Sequence, residues 1–316
     1  MTERKGLIVT LTVNPALDVS TSTERIVSNE KIRCGVTRLD PGGGGMNVSR
    51  VVTRLGGHAH AIYLAGGSTG DVYEKLVVGE GLGAERVIIE GLTRESFTVD
   101  EISTAGQYRF VLQGPTVTEL EWQKSLVMLE AAIGAGSYVV ASGSLAPGIP
   151  DDFYARVARI SRDAGARCII DASGAALAAA LAEGVFLIKP SRHEMDELVG
   201  TAPGGRGNQI QAATELIQRG STELVALTLG DEGAILISAA GVKRLPVPHV
   251  PVISSVGAGD SFLGGFVLRL AQGASQHAAF CTAVAAGTAT SMNPATILCT
   301  KSDGERLEKE LARISH

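Results

Sequence analysis

The sequence predicts an α/β protein: a mostly parallel, doubly wound sheet with a smaller β-sheet beside it. Short apolar segments of strand length alternate along the chain with segments of helical periodicity, which is typical of parallel sheets. The apolar segments are continuously hydrophobic, as are strands that are covered on both faces. Two other segments, 19–39 and 93–112, alternate polar and apolar residues and therefore predict strands with one face in water.

The predicted strands recur along the chain with predicted helices between several of them, and local signals support two of the helix starts. The segment from 191 begins with Ser-x-x-Glu, which matches a capping box, and the segment from 260 follows a glycine loop. The predicted strands are 7–13, 59–64, 138–141, 167–170, 186–188 and 224–229. The predicted helices are 46–55, 151–164, 191–199, 209–218 and 260–271.

Length and composition allow one large core with a small appendage, or two domains. The 316 residues are 45% hydrophobic but 4% aromatic, so Ala, Val, Leu and Ile must build most of the core. The net charge of -5 is small and spread along the chain. We therefore expect no nucleic acid or other polyanion as a main partner.

Cysteine usage and hydrophobic segments predict a cytoplasmic protein. The four cysteines show no Cys-x-x-Cys pairing and no zinc-ligand spacing, and so they are interpreted as reduced thiols. The first apolar segment stops at Asn14-Pro15 and is too short for a signal peptide. The alanine-rich stretch at 175–187 contains Glu183 and Gly184, and we therefore expect no membrane span.

A glycine loop directly before an apolar helix is the most informative feature of the chain. Residues 256–266 read VGAGDSFLGGF, and one carboxylate, Asp260, stands at the junction. Free N–H groups and the positive end of a helix hold phosphate, and a carboxylate accepts a proton from an attacking hydroxyl. The segment therefore suits phosphoryl transfer. An Asp that merely caps the helix is the ordinary alternative.

Other glycine-rich nucleotide-binding motifs do not fit the chain. A Rossmann fingerprint requires a third glycine where Phe262 stands. A Walker A loop requires Gly-Lys, and that pair does not occur in the sequence. A nucleotide must therefore bind through another architecture.

Polar or glycine-rich turns follow most of the predicted strands. Ligands in open α/β sheets bind beyond the carboxyl ends of the strands, so these turns predict one shared rim of an active site. The turns are 14–18, 66–67, 142–144, Asp171, 189–190, Gly230 and 257–260.

Two glycine-rich signatures resemble those of the PfkB (ribokinase-like) sugar kinases, and they follow one another along the chain in the same order as in that family. The first reads PGGGGMNVSR at 41–50 with LGG at 55–57, and the second reads VGAGDS at 256–261. Within the family, the four-glycine form is most similar to the minor-isozyme type of 6-phosphofructokinase. Shorter matches extend the resemblance over essentially the whole chain: TVNPALD at 12–18, KIRC at 31–34, TR at 93–94, QYRF at 107–110, SGS at 142–144, KP at 189–190 and TLG at 228–230.

The resemblance implies a single kinase domain over 1–316, a ribokinase-like three-layer αβα sandwich with a β-sheet lid from about 19–39 and 93–112. It implies ATP-dependent, Mg²⁺-assisted phosphorylation of the C1 hydroxyl of fructose 6-phosphate to fructose 1,6-bisphosphate. A 1-phosphofructokinase and a tagatose-6-phosphate kinase are the alternatives with the same chemistry. A non-catalytic sugar-phosphate-binding dimer is the alternative of another class. Many relatives dimerise through the lid, so we expect a homodimer.

The resemblance also assigns roles to residues at the reacting centre. Asp260 would be the catalytic base. The main-chain N–H groups that would form an anion hole for the transferred phosphate belong to Gly257, Ala258 and Gly259. The residues that would meet the sugar hydroxyls are Asp18, Gly43, Gly44 and Asn47. A role in shaping turns or capping a helix is the alternative for each of these.

The phosphate that the sugar already carries requires a cation, and arginine offers it a bidentate fork. The resemblance favours Arg94 and then Lys31 for this role. The full set of candidates, most of them in the two lid segments, is Lys31, Arg33, Arg94, Arg109 and Ser144. Solvated surface charge, or a turn in the case of Ser144, is the ordinary alternative.

ATP would bind beside a further strand, and Glu194 would order water around Mg²⁺. Ser191 stands where the family usually has Asn, which predicts weaker positioning of the ion or the phosphates, and the same Ser-x-x-Glu can act as a capping box. His193 stands where minor-isozyme relatives often carry lysine, so inhibition by a second ATP is not assumed. The residues matched to the ATP site are Lys189, Ser191, Thr228, Gly230 and Gly233.

A monovalent-cation loop is the least complete match. Ser254, Val256 and Asn293 resemble a loop that binds K⁺ in relatives. Ala295 and Ile297 stand where those relatives have Gly and Arg. The sequence therefore leaves K⁺ open as a cofactor.

Overall fold

The fold is taken from a computed structural model, which describes residues 6–200 and 206–314. The strands are β1 (Ile8–Thr12), β2 (Ala16–Thr23), β3 (Arg38–Gly42), β4 (Ala59–Gly66), β5 (Gly83–Ile89), β6 (Arg94–Glu101), β7 (Gly106–Val111), β8 (Tyr138–Ser142), β9 (Arg167–Asp171), β10 (Val185–Ile188), β11 (Thr222–Thr228), β12 (Ala234–Ser238) and β13 (Gly241–Leu245). The helices are α1 (Gly44–Arg54), α2 (Gly67–Gly79), α3 (Glu119–Ala132), α4 (Phe153–Asp163), α5 (Gly174–Glu183), α6 (Arg192–Val199), α7 (Arg206–Gln218), α8 (Ala258–Ala271), α9 (Gln276–Ser291) and α10 (Lys301–Ile314).

The main sheet has nine strands in the order β13-β12-β11-β10-β9-β8-β1-β4-β5. The strands from β11 to β5 are all parallel, and β12 and β13 extend the sheet as an antiparallel hairpin. From β1 the chain moves first to one side, into β4 and β5, and later to the other side, into β8. The doubly wound sheet that the sequence predicts is therefore confirmed, with its switch point beside β1.

Helices cover both faces of the main sheet and give the molecule its three layers. On one face the core contains Trp122 of α3, Phe153 of α4 and Leu216 of α7. On the other face it contains Val51 of α1 and Phe266 of α8, together with side chains of α9 and α10. Both faces of the parallel strands are therefore buried, which explains their continuous hydrophobicity. Among the described residues, no helix combines the length and apolar character needed to cross a membrane.

A second, small sheet has the order β3-β2-β6-β7, with β2 and β6 parallel and the two outer pairs antiparallel. The strands come from the two regions that the sequence singles out, but residues 24–37 between β2 and β3 contain no strand. Both edges of β2 are already paired, one with β3 and one with β6, and 24–37 therefore has no edge of β2 to join. That the small sheet acts as a lid stays a prediction.

The sequence pattern does not predict several elements: α2, α3, α5, α9, α10, β5, β12 and β13. Helix α9 shows the physical reason. It contacts both α8 and α10, and most of its residues are buried, so its sequence shows no alternation between an apolar and a polar face. Strand β5 lies at the sheet edge and alternates between exposed and more buried residues, so it lacks the apolar run of an inner strand.

Helix α8 packs very closely against α1, and this contact supports the first stability prediction. A Cβ added at Gly264 would lie 2.7 Å from Cγ1 of Val51. We expect Gly264→Ala to lower the free energy of unfolding by about 1–3 kcal/mol, as overpacking of a filled core does. Chemical denaturation followed by circular dichroism measures the change.

Gly79→Ala is the matched control, since this glycine also lies in a helix but has no atom within 4 Å of an added Cβ. Alanine there should be neutral or stabilising by up to about 1 kcal/mol. Equal stability of the two variants would contradict the close packing of α8 on α1.

Candidate active site

A cavity of about 520 Å³ lies between the carboxyl ends of the main-sheet strands and the small sheet. It is lined by Asp18 of β2, Arg109 of β7, Asp171 at the end of β9 and Asp260 in the first turn of α8. Parallel strands all end at this edge, so turns that are distant in sequence come together. The sequence-predicted residues that line the cavity are Asp18, Gly43, Gly44, Asn47, Arg94, Arg109, Ser144, Lys189, Glu194, Gly257 and Asp260.

Other sequence-predicted residues lie outside the cavity lining. Lys31 and Arg33 belong to the exposed segment 24–37, so within one chain they do not line the cavity, and a role for them stays a prediction. Ala258 and Gly259 contribute the backbone of the first turn of α8. The remaining residues are Ser191, which follows β10, Thr228 at the end of β11, and Gly230 and Gly233 in the turn between β11 and β12.

Asp260 accepts a hydrogen bond from Asn47, whose Nδ2 lies 2.8 Å from Oδ2 of the carboxylate. Burial raises the pKa of Asp260 to about 6, and the negative charge of Asp171 acts in the same direction. The hydrogen bond from Asn47 and the charges of Lys189 and Arg109 oppose that rise. A carboxylate with this pKa is ionised at neutral pH and is more basic than a solvated Asp, as a general base requires.

The amino end of α8 presents backbone N–H groups beside Asp260. Gly257 precedes the helix with φ 73°, in the left-handed region that favours glycine. The N–H of Ala258 donates to Ser255 at 3.3 Å, whereas those of Gly257 and Gly259 have no acceptor among the residues that the structure describes. Unpaired amides at a helix start, together with the helix dipole, make this turn a site for an anion.

A buried ion pair lies under the same turn. Nζ of Lys189 is 3.1 Å from Oδ1 of Asp171, and the Ser142 hydroxyl donates to Oδ2 of Asp171 at 3.1 Å. Burial alone would lower the pKa of Lys189, but the charge and hydrogen bond of Asp171, together with the charges of Asp260 and Glu194, outweigh it and the pKa is raised. The ammonium therefore stays charged close to Asp260. The sequence marks Asp171 as a strand exit, and that position is the signal for a role that sequence reasoning did not assign.

Asp18 lies at the other side of the cavity, beside the first glycine signature. Burial raises the pKa of Asp18 to about 7, Asp40 adds to the rise, and Arg50, Arg109 and Arg94 oppose it. Near neutral pH the carboxyl group therefore exists in both protonation states and can accept from or donate to a hydroxyl. The neighbouring Gly43 has φ 112°, so the backbone there takes a conformation that other residues rarely adopt.

Two arginines lie near Asp18. The guanidinium of Arg94 donates to the carbonyl oxygens of Asn14, at 3.0 Å, and of Leu112, at 3.1 Å, which fixes its position. Arg109 lines the cavity from β7 and is exposed. Ser144 accepts a hydrogen bond from Asn14 Nδ2 at 3.1 Å. This end of the cavity can bind a second anion.

The capping box at the start of α6 is present. The Ser191 N–H donates to Oε2 of Glu194 at 2.7 Å, and Oγ of Ser191 accepts from the Glu194 N–H at 3.3 Å. Thr228 forms a single β-bridge with Ser191, which places the ends of β10 and β11 side by side. Ser191 and Glu194 therefore do cap α6, which is the alternative role that the sequence leaves open for them. Oε1 of Glu194 takes no part in the capping box and can bind other partners.

A buried polar network behind Asn47 is the part of the site that sequence reasoning missed. Arg50 is fully buried and donates to Asn47, Asp40 and Glu80. Asp40 also accepts from Thr296 at 2.7 Å. Arg50 stands in the first glycine signature, three residues after Asn47, and this spacing was the available signal.

Comparison with known proteins gives a consistent result. The model of the pfkB family carbohydrate kinases matches residues 11–303. The chain is 43% identical over 304 residues to ATP-dependent 6-phosphofructokinase isozyme 2 of Mycobacterium tuberculosis, covering 96% of this chain and 89% of that protein. It is 30% identical over 287 residues to 1-phosphofructokinase of Bacillus subtilis, covering 91% and 93%.

Solved structures give the same picture. The crystal structure of phosphofructokinase-2 from Escherichia coli in complex with fructose-6-phosphate superposes with a TM-score of 0.92 at 35% identity, covering 97% of this chain and 99% of that one. The structure of the same enzyme in complex with potassium gives a TM-score of 0.93 at 36% identity, with the same coverage. Because the family match spans residues 11–303 and the Mycobacterium tuberculosis relative aligns with 96% of the chain, this protein belongs to the pfkB family of carbohydrate kinases.

Proposed function

We propose that this protein transfers the γ-phosphoryl group of ATP to the C1 hydroxyl of fructose 6-phosphate, giving fructose 1,6-bisphosphate and ADP. The observation that carries the proposal is the place of Asp260, a base with a pKa of about 6 beside the open amides of α8. Arg94 and Arg109 line the same cavity and supply charge for a phosphate already on the sugar. The 6-phosphofructokinase relative at 43% identity supports this substrate over that of the 1-phosphofructokinase at 30%.

In the proposed reaction, Asp260 takes the proton from the C1 hydroxyl while the oxygen attacks the γ-phosphorus. A bond forms between the sugar oxygen and phosphorus, and the bond to the bridging oxygen of ATP breaks, so that ADP leaves. The open N–H groups of Gly257 and Gly259 and the ammonium of Lys189 stabilise the charge on the transferred group. Asp18 and Asn47 hold the sugar hydroxyls by hydrogen bonds.

Mg²⁺ fits the oxygen ligands of the cavity. Glu194 and Asp171 both line it, and among the described residues no group of three or more His, Cys, Asp or Glu could hold a metal by itself. Such a site suits an ion that takes one or two carboxylates and completes its shell with water and phosphate oxygens. When bound, Mg²⁺ would neutralise charge on the phosphates of ATP. Glu194 would order its waters through Oε1.

Two alternatives keep the chemistry and change the sugar: fructose 1-phosphate and tagatose 6-phosphate. They differ from fructose 6-phosphate in phosphate position or hydroxyl stereochemistry, so the same base and anion sites serve all three. A non-catalytic sugar-phosphate-binding dimer is disfavoured because Asp260, Lys189 and the glycine turn are all in place.

We also propose that two copies pair through the outer faces of their small sheets. Strand β7 alternates, so that Arg109 and Val111 line the cavity while Phe110 points to the other face and is 53% exposed. Tyr108 shares that outer face and is also exposed. A small sheet with an apolar outer face needs a cover, and a second copy provides a matching one.

The proposed activity is tested with purified protein, ATP, Mg²⁺ and K⁺, and each of the three phosphosugars. We expect the highest kcat/KM with fructose 6-phosphate and fructose 1,6-bisphosphate as the product. Asp260→Asn should lower kcat on the order of a hundredfold or more, because the general base is lost. Near-normal turnover of this variant would refute the assignment of Asp260 as the base. ATP turnover that does not depend on sugar would refute the proposed sugar kinase activity.

The pH dependence provides the control for that variant. Since Asp260 must be ionised, kcat/KM should rise with pH through about 6. The pKa of Asp260 in the folded protein lies above the ordinary aspartate value of 3.8. The contribution of Asp260 to stability is therefore complete below pH 3.8 and is lost as the pH rises through about 6. Asp260→Asn should therefore unfold at no lower temperature than wild type at pH 8, and a lower melting temperature would attribute the lost activity to unfolding.

Arg94→Ala tests the phosphate end of the cavity. We expect KM for fructose 6-phosphate to rise about ten- to a hundredfold, the value of one charge-assisted hydrogen bond of roughly 1.5–3 kcal/mol. Activity with unphosphorylated fructose, measured at high concentration, should change much less. An equal loss with both sugars would contradict a role in binding the sugar's phosphate.

Phe110→Asp tests the proposed dimer, because a carboxylate in the middle of an apolar interface is costly to bury. Sedimentation velocity at micromolar concentration should show a dimer for wild type and a monomer for this variant. Leu120→Asp is the matched control, since Leu120 is 80% exposed on α3, away from the small sheet. A monomeric wild type, or dissociation by both variants, would contradict the proposal.

A further inference from the structure

Arg50 lies in α1, one turn after Asn47, with no exposed surface. A guanidinium has five N–H groups and no acceptor, and here it makes five hydrogen bonds. Nε and Nη2 donate to Oε1 of Glu80 at 2.9 and 2.6 Å, and Nη2 also donates to Oδ1 of Asp40 at 3.0 Å. Nη1 donates to the Pro41 carbonyl at 3.3 Å and to Oδ1 of Asn47 at 3.1 Å. The side chain is therefore held by four residues, Glu80, Asp40, Pro41 and Asn47.

The bond to Asn47 decides which way its amide faces. Because Arg50 can only donate, the Asn47 atom next to it must be the oxygen. The amide nitrogen is then directed to Oδ2 of Asp260, at 2.8 Å, and an ionised carboxylate can only accept. Both neighbours of the amide thus demand the same orientation. No other donor contacts Oδ1 of Asn47 among the described residues. Arg50 is therefore the residue that fixes the position of this oxygen, on the side of the amide away from Asp260.

We propose that Arg50 is a positioning residue for the reaction: it holds Oδ1 of Asn47, and Asn47 in turn holds the carboxylate of Asp260 in place for proton transfer. This inference rests on the proposed function and adds a residue to it that touches neither the substrate nor the reacting atoms. A base that is already held in its reactive orientation does not have to lose conformational entropy in each turnover.

The two carboxylate partners of Arg50, Asp40 and Glu80, do not depend on it alone. Asp40 keeps the guanidinium of Arg38, at 2.7 and 2.8 Å, and the hydroxyl of Thr296. Glu80 keeps Arg54, at 3.4 Å. Replacing Arg50 therefore leaves these two carboxylates paired. Oδ1 of Asn47 loses the one donor that it has among the described residues, and the Pro41 carbonyl loses a longer bond of 3.3 Å. This asymmetry makes the role testable apart from folding.

Arg50→Gln is the test variant, and Arg54→Gln is its matched control. Arg54 lies in the same helix and shares Glu80, but its other hydrogen bond goes to the carbonyl of Leu298 and not to Asn47. We expect Arg50→Gln to lower kcat with fructose 6-phosphate about tenfold or more, as loss of a hydrogen bond to a charged base does. Arg54→Gln should keep kcat within about twofold, as a change outside such networks does.

The pH profile gives a second readout. The charged groups that face Asp260 are Asp171, Lys189 and Arg109, and none of them is a partner of Arg50. The Asn47 hydrogen bond favours the ionised form of Asp260. Loosening it should therefore move the acid limb of kcat to higher pH in Arg50→Gln, whereas Arg54→Gln should leave the limb in place. The charge of Arg50 also lowers the pKa of Asp18, and Arg50→Gln in the Asn47→Ala background measures that separate contribution. An unmoved limb in Arg50→Gln would count against the proposal.

A double-mutant cycle with Asn47→Ala decides whether Arg50 acts through Asn47. If it does, adding Arg50→Gln to Asn47→Ala should lower kcat by less than about threefold further. Losses that multiply would show that Arg50 acts independently, and the inference would be wrong. Arg50→Lys, which keeps the charge but has three N–H groups in place of five, serves in the same cycle if Arg50→Gln unfolds.

A crystal structure of Arg50→Gln separates failure of the inference from failure of the proposed function. We expect the Asn47 side chain to leave its position and its contact with Asp260 to lengthen. An unchanged contact would overturn the inference whatever the activity. A wild-type protein that phosphorylates no phosphosugar would contradict the proposed function, whereas multiplied losses in an active enzyme would contradict the inference alone.

Discussion

The site depends on carboxylates that converge where little water reaches them. Asp18, Asp171 and Asp260 line one cavity, and burial raises the pKa of Asp18 to about 7 and that of Asp260 to about 6. Without nearby cations, burial would raise the pKa of Asp18 and of Asp260 further and would leave less of the ionised base. The hydrogen bond from Asn47 and the charges of Lys189 and Arg109 limit the rise, so that Asp260 stays ionised and yet more basic than a solvated Asp. The balance between burial and cations sets the chemistry of the cavity.

This balance requires the amino end of α8 to be held accurately, and core packing does that. Gly264 lies against Val51 of α1, and Gly265 lies against Thr282 and Ala286 of α9. Larger residues at these glycines would push α8 away from both helices. Because Asp260 is one turn before Gly264 on α8 and Asn47 is one turn before Val51 on α1, the contact also fixes the distance between base and amide. Packing that looks purely structural is therefore part of the site.

Sequence reasoning reaches the features that local signals encode. The glycine loop before α8, the strand exits and the alternating segments predict the fold class and most of the cavity lining. It does not reach the pair of Lys189 and Asp171, because that contact depends on strand register: Ser142 of β8 aligns with Asp171 of β9, and β10 follows next in the sheet. It also reads 24–37 as strand, since no pattern in that segment reveals that both edges of β2 are occupied.

One turn of α1, within the first glycine signature, carries two side chains that shape the site. Asn47 and Arg50 are three residues apart, so they share a face of α1, and that face lies between the base and the small sheet. Arg50 binds Asp40 of β3, a strand of the small sheet, and through Asn47 it also contacts the base. The position of the small sheet and the orientation of Asp260 are therefore tied through a single guanidinium. Since all five of its N–H groups are engaged, that guanidinium cannot turn to follow one partner without releasing another.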